Sequence, residues 1–133
     1  MAGTINTLGL IDTDILIDAT HKLPDALSVL AAQLVVGGIK ISIVSAMELI
    51  QGSRNSSELN QIQQFLRQVS VIPINVPTSQ TAKELMEQFF LSHGLVIPDA
   101  LIAATTLEND LTLYSKNIRH YKVIPNLSVV RPY

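Results

Sequence analysis

Short runs rich in β-branched residues alternate with segments of helical period along the whole chain, and this alternation restricts the fold more than any other feature. Residues 5–11 read as a buried strand, and a short helix follows from about Asp14. A second helix runs from Pro24, whose fixed φ suits a first helical position, to the stop at Gly37-Gly38. Ile39 to Val44 alternates as a strand. Ser45 opens a helix that ends near Gly52. Leu59, Ile62, Phe65, Leu66 and Val69 recur at helical spacing. "SVIPINV" is a short strand that Pro73 places near a sheet edge, because proline cannot donate to a ladder. Ala82, Leu85, Met86, Phe89 and Phe90 mark another amphipathic helix, with the large residues in the core or partly in a dimer interface. Asp99 to Asn109 is a helix apolar on most sides, hence buried. "LTLYS" and "LSVVRP" supply two last short strands. Such alternation predicts an α/β fold with a parallel sheet covered on both faces.

Composition narrows the class. The 133 residues suit one domain, 1–133, and 47% hydrophobic against 15% charged residues supports a packed core. Cysteine is absent, which excludes disulfides and thiolate chemistry and fits a cytoplasmic protein. The opening "MAGTINTLGL" lacks the charged and apolar regions of a signal peptide. The most apolar stretch, "ALSVLAAQLVVGGI", is interrupted by Ser28 and Gln33 and is too short to span a membrane. A net charge of −2 gives no general attraction to nucleic acid, so any such activity must rest on a local site.

Acids supply that site. In a parallel α/β sheet the strand C-termini and helix N-termini share one edge, where ligands bind. Asp12 and Asp14 stand where the first strand ends, Glu48 in the first turn of the helix after the second strand, and Asp99 at the start of a later helix. Each has an ordinary reading: Asp12 or Asp14 as an N-cap, Ser45 to Glu48 as a capping box, Asp99 as complement to a helix dipole. Together they imply more. Clustered carboxylates repel unless a cation sits among them, and oxygen ligands suit Mg²⁺ or Mn²⁺. Such a cage activates water and stabilises a phosphoryl transition state.

"LIDTDILID", "ISIVSAMELIQG" and "VIPDALIAATTLENDLTLYSKNIRHYKVIPNLSVVRP" together resemble the PIN-domain family, and within it the VapC-type toxins of prokaryotic toxin–antitoxin pairs. The resemblance covers nearly the whole chain, and "DALIAATTL" is its most specific piece. It implies a PIN-like three-layer sandwich with a central parallel sheet of four or five strands flanked by helices. It implies a metal-dependent endoribonuclease, a homodimer and inhibition by a small cognate antitoxin. It casts Asp12, Glu48 and Asp99 as catalytic metal ligands. Many members carry a fourth acid where this chain has Asn117, two residues after Ser115, while Asp14 stands where many have Asn. Asp14, Ser115 and Asn117 are therefore candidates to support the metal or a second one.

"SKNIRHYK" is the densest basic segment, with Lys116, Arg119 and Lys122 as candidate RNA-phosphate contacts against the plainer reading of a solvated loop. His120 has a general-acid reading beside the more ordinary one of a packed or solvent-facing histidine. His21 and His93 lack acids or cysteines at ligand spacing, and Arg54 reads as a surface residue. One rival function is a haloacid-dehalogenase-like phosphatase, which shares the Asp-x-Asp after an apolar strand. It requires a Gly-Thr turn where Ile15 and Leu16 stand. The other rival is a PIN-like binding module without nuclease activity, which has no reason to keep three carboxylates together.

Overall fold

The computed structural model describes residues 5–133, and its centre is the buried strand β1 (Gly9–Ile11). β1 pairs in parallel with β2 (Lys40–Ser42) on one side and β4 (Thr112–Tyr114) on the other. β3 (Ser70–Ile72) adds outside β2, and β5 (Val129–Val130) outside β4, so the parallel sheet has five strands in the order β3-β2-β1-β4-β5. The expected edge position of the strand before Pro73 follows from that order.

Among the described residues seven helices connect and cover the strands: α1 (Thr13–Thr20), α2 (Pro24–Val36), α3 (Ile43–Gln51), α4 (Ser56–Leu66), α5 (Val76–His93), α6 (Ile97–Glu108) and α7 (Ile118–Tyr121). Successive strand residues point to opposite faces. Leu10 and Leu113 enter a core with Leu85 of α5 and Ile102 of α6. Ile11 and Tyr114 enter a second core with Ile15 of α1 and Val29 of α2. Each fully buried aliphatic side chain there stabilises the fold by roughly 1.5–3 kcal/mol. The two cores make the layers of the expected three-layer sandwich. Met86 and Phe89 pack against the first core, whereas Phe90 lies 53% exposed. Gly9 lets β1 and β4 approach, since a Cβ there would lie 2.3 Å from the Tyr114 ring. Among the described residues no helix is long and apolar enough to cross a membrane.

The strand expected over residues 70–76 ends at Ile72, before Pro73, and three further departures from the pattern reading bear on the site. Residues 5–8 do not join the sheet, although the strand was expected from residue 5. The buried side chain of Gln33 takes the place of a neighbouring strand there: its amide donates to Ile5 O and Thr7 O, and its oxygen accepts from Gly9 N. The helix after the second strand begins at Ile43, not Ser45, because the Ser42 side chain accepts from Val44 N and caps it. Glu48 therefore sits beyond the first turn, and no Ser45–Glu48 capping box forms. The basic segment holds a short helix, α7, and is not a plain loop.

Candidate active site

Asp12 ends β1 and caps α1. Its Oδ1 accepts from Thr13 N at 2.8 Å, which satisfies a helix-terminal donor. Its backbone N–H donates to Tyr114 O at 2.9 Å, so the pairing of β1 with β4 delivers the next residue, Ser115, to the same place. The Ser115 hydroxyl donates to Asp12 Oδ2 at 2.7 Å, and Ser115 Oγ accepts from Asn117 N at 2.9 Å. Asp12 is only 4% exposed. Burial pushes its carboxyl up to about 6; the bond from Ser115 opposes this, the charge of Asp14 adds to it, and the bonds from Thr13 and Tyr121 pull it back.

Asp14, in the first turn of α1, is held by its own helix and by the β4–α7 loop. Oδ1 accepts from Ile15 N at 2.7 Å and Oδ2 from Lys116 N at 2.9 Å. Burial raises its carboxyl, Lys116 and Ile15 pull it down, and the nearby charge of Asp18 also raises it.

Glu48 comes from α3, and Thr13 Oγ1 donates to its Oε1 at 2.7 Å. Thr13 Oγ1 also lies 2.8 Å from the buried Ser45 Oγ. Since the threonine proton is on Glu48, Ser45 is the donor to Thr13. Thus Ser45, expected as a helix cap, instead carries a relay of hydroxyls that positions Glu48.

Asp99 comes from the first turn of α6. Its Oδ1 accepts from the Tyr121 hydroxyl at 3.2 Å, and its Oδ2 lies 3.3 Å from His120 Nδ1. The same Tyr121 hydroxyl lies near enough to Asp12 to lower its carboxyl. Burial, reinforced by the charges of Asp12 and Asp99, pushes this hydroxyl well above the usual phenol range, so it remains a donor. Asp12, Glu48 and Asp99 therefore lie along one edge of the sheet, with Thr13 bonded to both Asp12 and Glu48 and the Tyr121 hydroxyl bonded to Asp99 beside Asp12.

Among the described residues no three acidic or imidazole groups stand close enough to read as a preformed metal cage. The Thr13 and Tyr121 hydroxyls lie between the acids. The chemistry of the donor set nonetheless fits a hard cation. It is made of oxygens, each carboxylate retains lone pairs beyond its present bonds, and the buried Asp12 has no compensating cation among the described residues.

The remaining candidates divide. Arg119, His120 and Lys122 line a cleft of about 390 Å³ that opens beside Asp99. Lys116 turns the other way: its ammonium lies 2.5 Å from Asp18 Oδ2 and 5.6 Å from the centroid of the Tyr133 ring. Asn117 is exposed, with no side-chain cap bond to α7. A second cleft, of about 580 Å³, runs between α1, α3 and α4 and reaches Glu48, with Ile17, His21, Arg54 and Ile62 on its walls. Arg54 is exposed there and pairs with Glu58 at 2.7 Å. Phe65 and Leu66 pack against the second core instead of lining that cleft. Sequence reasoning missed Thr13, Tyr121 and Asp18. Thr13 had a signal, since it follows the first acid; Tyr121 and Asp18 had none.

Comparison with known proteins gives the family and the fold. A family model described as PIN domain matches residues 9–124. The chain is 31% identical over 119 residues to Ribonuclease VapC10 of Mycobacterium tuberculosis, covering 89% of each chain. It is 34% identical over 121 residues to Ribonuclease VapC19 of the same organism, covering 89% of this chain and 95% of that one. Among solved structures it resembles a toxin–antitoxin complex from Klebsiella pneumoniae, with a TM-score of 0.79, 28% identity, and coverage of 94% of this chain and 98% of that one. It also resembles VapBC2 from Rickettsia felis bound to a promoter DNA fragment, with a TM-score of 0.75, 27% identity, and coverage of 90% and 95%.

Proposed function

This chain belongs to the PIN domain family, and on that premise we propose that it is a divalent-metal-dependent endoribonuclease, the toxin of a VapBC-type toxin–antitoxin pair. The observation that supports the reading is that Asp12, Glu48 and Asp99 lie along one sheet edge, with Thr13 bonded to Asp12 and Glu48 and Tyr121 bonded to Asp99. The relatives named as ribonucleases supply the reaction class. A phosphatase of the haloacid-dehalogenase kind would not account for the family match.

Asp12, Glu48 and Asp99 would hold Mg²⁺ or Mn²⁺, with Asp14 and Asn117 beside them. Bound there, the ion would supply the charge that activates water and offsets the negative charge developing on the phosphoryl group. The chain's own residues prepare for this. Ser115 orients the Asp12 carboxylate, and Ser45 through Thr13 orients Glu48. Tyr121 holds the Asp99 carboxylate by its hydroxyl. Arg119 and Lys122, on the cleft beside Asp99, would take RNA phosphates, and His120 faces the same opening.

The partner follows from the same acids. Without metal they form a negative pocket, which an arginine from a cognate antitoxin would neutralise with several donors. The cleft between α1, α3 and α4 leads from Glu48 past Ile17 and Ile62, so an apolar segment could lie along it. The toxin–antitoxin complexes among the similar structures support that partner. We further propose a homodimer acting in the cytoplasm as one domain.

The test is cleavage of a labelled RNA by purified protein. Asp12→Asn, Glu48→Gln and Asp99→Asn should each lower the rate by at least about 100-fold, within the range for loss of a catalytic group, while circular dichroism stays native. Near wild-type rates in all three would refute the assignment. Co-expression with the small neighbouring open reading frame should give a stable, inactive complex.

A further inference from the structure

Lys116 stands between two residues of the site, yet its side chain leaves it. Its ammonium rests on Asp18 Oδ2 at 2.5 Å, and the Tyr133 hydroxyl donates to the same oxygen at 2.6 Å. The ammonium also lies 5.6 Å from the Tyr133 ring centroid, within cation–π range. Its backbone is fixed as well. The N–H donates to Asp14 Oδ2 at 2.9 Å, and the carbonyl accepts from Arg131 Nη1 at 3.2 Å. Asp14 and Asp18 are four residues apart on α1 and so share one helix face. Lys116 therefore docks its loop along that face twice, by its amide at one acid and its ammonium at the next.

The neighbours explain why this matters. Ser115 donates to Asp12, and Asn117 donates its amide to Ser115. Any shift of Lys116 moves both. We propose that Lys116 is a positioning residue: the clamp of Asp18, Lys116 and Tyr133 fixes the Ser115–Asn117 loop against α1 and so sets the Asp12 carboxylate. This rests on the nuclease reading of the site, and it removes Lys116 from the RNA contacts. An ammonium paired with Asp18 and lying over the Tyr133 ring would have to break the pair to reach a phosphate. The pair is half-buried, with the lysine side chain 29% and the aspartate 20% exposed. Lys116 and Tyr133 together hold the Asp18 carboxyl below its usual range.

The experiment compares wild type, Lys116→Met, Asp18→Asn, Tyr133→Phe and the double variant Lys116→Met/Asp18→Asn. Each full-length protein is assayed with Mn²⁺ on a short labelled single-stranded RNA over a range of salt. The clamp predicts that Lys116→Met lowers kcat by about tenfold, the scale of lost support to a metal ligand. KM and the salt dependence of RNA binding should not change. Asp18→Asn removes an acid and should give the same loss, and the double variant should be no worse than either single one. Tyr133→Phe deletes one hydroxyl and should act in the same direction more weakly. A raised KM with a salt slope lower by about 0.7 in Lys116→Met, and full activity in Asp18→Asn, would make Lys116 a phosphate contact and overturn the clamp. Amide hydrogen exchange of residues 115–117 provides a readout independent of cleavage. Faster exchange in Lys116→Met and in Asp18→Asn is expected, and unchanged exchange overturns the clamp even if wild-type protein cleaves nothing. Wild-type inactivity with Mn²⁺ would defeat the nuclease reading separately.

Discussion

The hydroxyl of Ser115 donates to Asp12 Oδ2 at 2.7 Å across 103 residues of sequence. Parallel pairing of β4 with β1 makes this contact, and it moderates a titration that burial dominates. The bond opposes the burial that raises Asp12 to about 6. Ser115→Ala should therefore move that value higher. An ionised carboxylate is what a cation requires, so Mn²⁺ affinity should fall as pH drops through about 6 in the wild type and at a higher pH in the variant. Calorimetric titrations from pH 5 to 8 check it, and coincident curves would show that Ser115 does not act on Asp12.

The raised Asp12 has a consequence for stability, and its sign is opposite to that of a salt-bridged aspartate. The metal-free folded protein binds this proton more tightly than the unfolded chain, whose carboxyl has the ordinary value of 3.8. Stability due to Asp12 is thus present below 3.8 and lost as pH rises through about 6. At neutral pH the ionised, buried group costs roughly 3 kcal/mol at most. Asp12→Asn should raise the melting temperature of the metal-free protein at pH 7.5 and give no gain at pH 4. Mn²⁺ should raise that of the wild type and leave the variant's unchanged. Thermal melts at the two pH values decide it.

Tyr121 offers a separate handle. Its ring is core and its hydroxyl donates to Asp99 beside Asp12. Tyr121→Phe keeps the ring and deletes that donor. Folding stability should fall by about 1.5–3 kcal/mol, the range for hydrogen bonds to charged groups. Mn²⁺ affinity and kcat should each drop about tenfold. Unchanged Mn²⁺ affinity would reduce Tyr121 to packing.

Asn117 lies exposed two residues beyond Ser115 and adds no charge to the site. If it faces the cation, Asn117→Asp should tighten Mn²⁺ binding by about three- to tenfold. Unchanged affinity would mean that Asn117 points elsewhere or that Asp14 already fills the role.

The sheet edge was legible because local signals mark it. Asp12 follows an apolar run and Asp99 follows Pro98 at a helix start, so topology alone brings them together. Glu48 was placed on the right helix but in the wrong turn. Ile43 and Val44 are β-branched and extend the strand pattern, while the Ser42 cap that ends it competes with an equally good Ser45. The early residues 5–8 look like strand and are not, since only the tertiary structure supplies Gln33 as their partner. Tyr121 and Asp18 carry no signal of their own, because each acts through residues more than 20 positions away in the chain. Lys116 reads as a phosphate contact from composition, and only the fold reveals that its charge is already engaged.

The central claim is that the acids at this edge hydrolyse RNA with a bound divalent cation. Purified wild-type protein, stripped with EDTA and then dialysed, should leave a labelled RNA intact. Adding Mn²⁺ or Mg²⁺ should restore cleavage, with Asp99→Asn remaining inactive under the same conditions. Undiminished cleavage in excess EDTA, or equal cleavage by Asp99→Asn, would contradict the account.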